Sequence, residues 1–297
     1  TAKRDAMTTK FGPTSHRFIS QRLRLHYADW GNKDAPLLIL LHGGRDHCRS
    51  WDWTAQELRD RWHVIAPDLR GHGDSDWSPD ADYTMAAFVY DLAQLIHQLG
   101  EEPVTIVAHS LGGQIALRYA GLYPGKVLRV VAIDGLGESP ALDAERASIP
   151  LAEHWRRWIA DKRAVAGRVP RRYATIEEAL ARMKEENAYL DEEQARHLTI
   201  HGTTRNEDGT WRWKFDNYLH LLPFFPDIAR TETVALWAAI NCPLLLLHGA
   251  ESWASNPAHD GRLAHFSNAR VIEFKQAGHW PHHDQFASFL AELRAFL

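Results

Sequence analysis

The run Val104-Thr105-Ile106-Val107-Ala108-His109-Ser110-Leu111-Gly112-Gly113 sets a serine between an apolar stretch and the start of a helical one, with a small residue two positions away on each side. A nucleophile on a sharp strand-to-helix turn needs this arrangement, because a larger side chain at Ala108 or Gly112 would collide with the turn. A serine hydroxyl is a poor nucleophile at neutral pH and requires a base whose pKa lies near 7, which points to histidine. With 18 histidines in the chain, position must decide. His279, in Ala277-Gly278-His279-Trp280, follows the last apolar run and precedes the last helical one, so it should hang over the carboxyl ends of the strands, where Ser110 also sits. Leu40-Leu41-His42-Gly43-Gly44 closes another strand with a flexible turn, and the amides of Gly44 and Leu111 are expected to converge on a developing oxyanion. His42 reads as a structural histidine that bonds this loop.

Such groups need a rigid scaffold. Short apolar runs bounded by Gly, Pro or Asp predict strands over 23–27, 37–41, 64–66, 104–108, 127–133, 244–247 and 271–274. Between them Met85, Phe88, Val89, Leu92, Leu95, Ile96 and Leu99 recur at helical spacing behind Thr84 as N-cap, and Phe286, Phe289, Leu290, Leu293 and Phe296 repeat the pattern at the end. Strands alternating with helices imply a mostly parallel sheet with helices on its faces. The alternation stops after Asp134 and resumes near Cys242. The stretch between is charged, contains tryptophan and reads as helices, with capping-box spacing at Thr175/Glu178 and Asp191/Gln194 and a hairpin turn at Asp208-Gly209. The expected division is a core over 1–136 and 242–297 with a mainly helical cap inserted over 137–241.

Composition narrows the classes. The chain has 297 residues, 45% hydrophobic and 24% charged, which excludes a disordered or fibrous protein. A formal net charge of -4 provides no global attraction to nucleic acid or an anionic membrane. No apolar run approaches the roughly 18 residues of a membrane span, and residues 1–10 are polar and basic, unlike a secretory signal. The chain starts at Thr, so removal of an earlier signal stays open. Cys48 and Cys242 lack metal or redox spacing and read as free thiols of a reducing, cytoplasmic compartment. His282, His283 and Asp284 fit no common metal spacing, and Asp284 is better placed to cap the last helix.

The strand followed by His-Gly-Gly, the segment Pro67-Asp68-Leu69-Arg70-Gly71-His72-Gly73-Asp74-Ser75, the Ala-His-Ser-Leu-Gly-Gly turn and the terminal Gly-His together resemble the α/β-hydrolase fold superfamily. The resemblance implies an eight-stranded, mostly parallel sheet with a cap over the active site, and structural roles for Asp68 and His72. It also exposes a departure. The family usually carries its triad acid in a Gly-x-x-Asp turn, where this chain has Gly249-Ala250-Glu251-Ser252. Asp134, at the end of the strand after the nucleophile's, is the favoured acid and keeps the chain order Ser, Asp, His, with Glu251 as the alternative.

A serine at the elbow argues against dehalogenase and epoxide hydrolase chemistry, which uses a carboxylate there, and implies acyl transfer to water without cofactor or metal. Carboxylic ester hydrolysis is the first expectation. C-C bond cleavage of a diketone, lactone or thioester hydrolysis, and a ligand receptor on the same fold are the alternatives. Trp155, Trp158, Trp211 and Trp213 in the cap, with Trp253 and Trp280 beside the catalytic loops, suggest a small or medium, partly apolar substrate, and Trp155, Trp158, Trp253 and Trp280 are the expected contacts.

Overall fold

The structure is a computed structural model that describes residues 12–100, 103–220 and 230–297. Its strands are β1 (Thr14–Ser20), β2 (Leu23–Asp29), β3 (Leu37–Leu41), β4 (His63–Pro67), β5 (Val104–His109), β6 (Val127–Ile133), β7 (Thr203–Arg205), β8 (Trp211–Trp213), β9 (Leu244–Gly249) and β10 (Ala269–Phe274). Eight of them form one sheet in the order β1-β2-β4-β3-β5-β6-β9-β10. β1 and β2 are antiparallel at one edge, and the pairs from β4 to β10 are parallel.

The helices are α1 (Asp52–Leu58), α2 (Met85–Gln98), α3 (Leu111–Leu122), α4 (Pro140–Ser148), α5 (Leu151–Ala166), α6 (Ile176–Glu186), α7 (Glu192–Gly202), α8 (Arg230–Ala238), α9 (Pro281–Asp284) and α10 (Phe286–Phe296). Successive residues of a strand face opposite ways, so the apolar runs feed two separate cores. On one face Ile39, Ile106, Val130 and Leu246 pack with Phe88 and Leu92 of α2 and Ile115 and Tyr119 of α3. On the other, Leu38, Leu40, Val107, Val131 and Leu245 pack with Ala55 and Leu58 of α1 and Phe289 and Leu293 of α10. Both faces are covered, which is why these strands read as unbroken apolar runs.

Between β6 and β9 the chain leaves the sheet. The Thr84, Ser139, Thr175 and Asp191 side chains cap α2, α4, α6 and α7, and Asp191 with Gln194 completes a reciprocal capping box. Glu178 instead reaches past Thr175 to the Ala174 amide, at 2.8 Å. The hairpin at Asp208-Gly209 joins β7 and β8. Leu180, Leu190, Ala195 and Leu198 form a small core of their own, closed by Trp53 and Trp280. α8 differs from the rest: Trp237 is buried in the sheet core, and Gly121 of α3 lies so close that a Cβ there would come within 2.3 Å of the Leu236 carbonyl. α8 thus packs against α3 on one face of the sheet. Among the described residues no helix is long and apolar enough to cross a membrane.

Candidate active site

Ser110 occupies the single residue between β5 and α3 at φ 49° and ψ -115°. This backbone conformation is costly for a residue with a Cβ and persists only where the surroundings enforce it. The Ser110 amide donates to the Ile133 carbonyl at 2.8 Å, tying the turn to β6. The two glycines after Leu111 leave no room. A Cβ on Gly112 would stand 2.6 Å from the His42 carbonyl oxygen, and one on Gly113 would stand 2.6 Å from the Gly135 Cα. The start of α3 is thus wedged between the ends of β3 and β6, and the small residues of the motif have a steric cause.

Asp134 follows β6 with φ 44°, its amide donating to the Leu247 carbonyl at 2.8 Å. Its buried carboxylate accepts from two imidazoles: His279 Nδ1 at 3.2 Å on Oδ2 and His248 Nδ1 at 2.7 Å on Oδ1. Burial alone would raise the Asp134 pKa, but the bonds from His248 and His279 and the His279 charge outweigh it and hold the carboxyl below its ordinary value. Ser252, which stands where the family's acid would, has its Oγ 3.4 Å from His279 Nδ1. Glu251 is exposed and accepts from the Tyr189 hydroxyl, and among the described residues no hydrogen bond joins it to His279.

The loop carrying His279 is fixed from two sides. His109 Nε2 donates to the His279 carbonyl at 2.7 Å, and the Gly278 amide donates to Asp284 Oδ2 at 2.8 Å. The second bond corrects the expectation for Asp284: α10 has Gln285 at its N-cap without a side-chain bond, and Asp284 is spent on the loop that carries His279. His42 is fully buried, donates from Nδ1 to the Gly43 carbonyl at 2.7 Å and accepts the Leu69 amide at 3.0 Å, the structural role expected of it. Asp68 accepts from His26 Nδ1 and the Cys48 amide, each at 2.7 Å, and from the Asp74 amide at 2.9 Å, while His72 Nδ1 donates to the Arg70 carbonyl. Gly43 borders Ser110, since a Cβ on it would lie 3.1 Å from Ser110 Cβ. Gly44 is exposed beside it, and Leu111 is the first residue of α3, where helical amides lack an internal acceptor.

The tryptophans divide. Trp253, 74% exposed, lies over the His279 ring at 4.5 Å. Trp280 lines a small cleft together with Arg45, Asp46, His47, Met183, Trp213 and Phe215. Trp155 and Trp158 meet edge to face on α5, with Trp155 exposed. Trp213, one of the cap tryptophans expected near a substrate cavity, lines this cleft, and Phe215 of the same hairpin run, which carried no such expectation, lines it too.

Sequence reading also missed His248 and a stack of buried imidazoles behind the site. His109 lies 4.7 Å from both His279 and His282, and His282 lies 4.3 Å from His283 and 4.8 Å from Trp51. Burial, reinforced by neighbouring histidines, lowers the pKa of His109 and His282 strongly, and that of His283 to about 3. Above about pH 6.5 these rings are neutral folded or unfolded; below it only the unfolded chain gains the protons, so stability falls with acidification. Burial raises Asp46 to about 7 and Asp284 to about 6, which favours the folded state as pH falls toward 4 and partly offsets the histidines. His282→Phe should therefore gain about 2 kcal/mol on the parent between pH 8 and pH 5. Urea melts at the two pH values check this, and equal differences at both would refute it.

The chain belongs to the alpha/beta hydrolase fold family, whose model matches residues 36–286. Over 118 residues it is 39% identical to an uncharacterized protein of Mycobacterium tuberculosis, covering 39% of this chain and 34% of that protein, so it matches about a third of that relative's length. Over 279 residues it is 27% identical to the esterase Rv0045c of the same organism, covering 90% of this chain and 84% of the relative. The crystallised thioesterase domain from the curacin biosynthetic pathway has the same fold, with a TM-score of 0.82 at 21% identity over 96% of this chain and all of that one.

Proposed function

We propose that the protein is a serine hydrolase that cleaves carboxylic esters through an acyl-enzyme. The carrying observation is the Asp134 to His279 hydrogen bond at the strand end beside the Ser110 elbow. In this reading Asp134 holds the His279 imidazole with its proton on Nδ1, leaving Nε2 free to take the Ser110 proton as Oγ attacks the ester carbonyl. The amides of Gly44 and Leu111 receive the oxyanion. His279 then returns the proton to the departing alcohol, and water repeats the sequence on the acyl-enzyme. The similarity to an esterase over most of both chains supports this choice among acyl transfers.

The layer between β6 and α8 acts as the cap in this proposal, with its boundary at the cleft. Trp280 and Trp253 border the catalytic loop, and Trp155 and Trp158 lie on α5 of the cap, so rigid apolar surface is offered to an acyl or alcohol group. The cap helices are rich in charge, and α5 also exposes Leu151, Trp155 and Ile159 along one face, an apolar stripe one helix wide. We therefore assign small or medium, partly apolar esters, dissolved in a reducing cytoplasm where Cys48 and Cys242 stay free. Saturation kinetics on p-nitrophenyl esters with acyl chains from two to sixteen carbons should peak at short or medium lengths. A maximum at the longest chains, or a rate jump on crossing the solubility limit, would identify a lipase instead.

A further inference from the structure

Away from the site, α7 presents two histidines one helical turn apart, His197 and His201, toward α1. Their rings lie 4.5 Å apart. Asp52, buried at the start of α1, faces them: its Oδ2 is 3.1 Å from His197 Nε2. One donor atom each from Asp52, His197 and His201 lie within 4.8 Å of one another. Metal-ligand bonds of about 2.0–2.2 Å set tetrahedral ligands about 3.3 Å apart, so the Asp52 to His197 spacing already suits a shared ion and only His201 must close in. The three donors are half-buried or better, and Trp53 packs on His197 at 4.6 Å, fixing its ring.

A positive charge already bridges two members of this group, Asp52 and His201. The Arg49 guanidinium contacts Asp52 through Nε at 2.9 and 2.8 Å and through Nη2 at 2.6 Å, and its Nη1 lies 3.4 Å from His201 Nδ1. The Arg49 carbonyl also accepts from His197 Nε2 at 3.1 Å. Asp52 and His201 therefore already face a cation, and it sits on a side chain that is 31% exposed and has solvent into which to swing. Two imidazoles and one carboxylate suit a borderline divalent transition metal such as zinc, cobalt or nickel better than calcium or magnesium.

We propose that Asp52, His197 and His201 form a divalent transition-metal site that competes with Arg49 and staples α7 to α1. On binding, His197 shifts its proton to Nδ1, Nε2 takes the metal, and Asp52 exchanges the guanidinium for the ion. The staple joins the inserted layer to the sheet core beside the packing of Trp53 and two hydrogen bonds that already cross this interface, His47 Nε2 to the Leu198 carbonyl and Gln194 Nε2 to the His283 carbonyl, each 3.0 Å. The His-x-x-x-His spacing is visible in the sequence, but the third ligand lies 145 residues before His197 and only the fold supplies it.

Titration with cobalt chloride, followed by the visible absorption of the bound ion, tests this without reference to ester turnover. One equivalent should bind the parent protein saturably, zinc should displace it, and zinc should raise the melting temperature reversibly with chelator. His201→Ala and Asp52→Asn should lose the signal. Arg49→Gln, which removes the competing cation, should bind about tenfold tighter than the parent. A cobalt spectrum unchanged in His201→Ala puts the ion elsewhere and overturns the site. So does an Arg49→Gln protein that binds no more tightly than the parent or not at all, and this arm decides the matter even if the ligand variants fail to fold.

Discussion

Ser110→Ala should lower ester turnover by about 10⁵ to 10⁶-fold while leaving the fold intact, because the proposed reaction has no other path to an acyl-enzyme. The strain at this turn resides in the backbone, and alanine adopts φ 49° no more and no less readily than serine, so little change in melting temperature is expected. A fluorophosphonate should add one mass equivalent to the parent protein and none to the variant. Labelling that persists in Ser110→Ala would place the nucleophile elsewhere. An unlabelled parent with intact esterase activity would point to a mechanism without a serine adduct.

Asp134→Asn should cost about 10³ to 10⁴-fold in kcat, and Glu251→Gln should stay near the parent rate. The size of the first loss follows from the second histidine. An aspartate offers an oxygen to each imidazole, whereas an asparagine has one oxygen and one amide. His248 holds the shorter bond, 2.7 Å against 3.2 Å, and is more deeply buried, so it should keep the oxygen and turn the amide toward His279. His279 Nδ1 must then accept, its proton moves to Nε2, and the ring can no longer take a proton from Ser110. Comparing kcat for the two variants on one soluble ester decides the assignment: a larger loss in Glu251→Gln would transfer the role to Glu251.

Most of the sheet was legible because its strands are buried on both faces and so appear as unbroken apolar runs; β3 and β6 match their expected limits. β1 escaped notice because it is an edge strand with only Phe18 and Ser20 buried, and Thr14-Ser15-His16-Arg17 shows no apolar alternation. The serine turn could be read because sterics demand small residues around it. The choice between Asp134 and Glu251 could not be made from spacing, since it depends on which carboxylate the fold brings against His279. His248 was invisible for a related reason. A histidine at a strand end has no sequence mark until its partner, Asp134, is known to lie across the neighbouring strand.

The contact between Gly113 and Gly135 links the first turn of α3, just after Ser110, to the residue that follows Asp134. Each backbone acts as the other's stop, so the separation of Ser110 from Asp134 is set by main-chain packing across one strand spacing, with no side chain in the path. The chain then diverges into the inserted layer only after both groups are placed. Remodelling that layer to change the substrate would leave two of the three groups of the proposed triad in register, and the tolerance lost in such a redesign would fall on the loop of His279 alone.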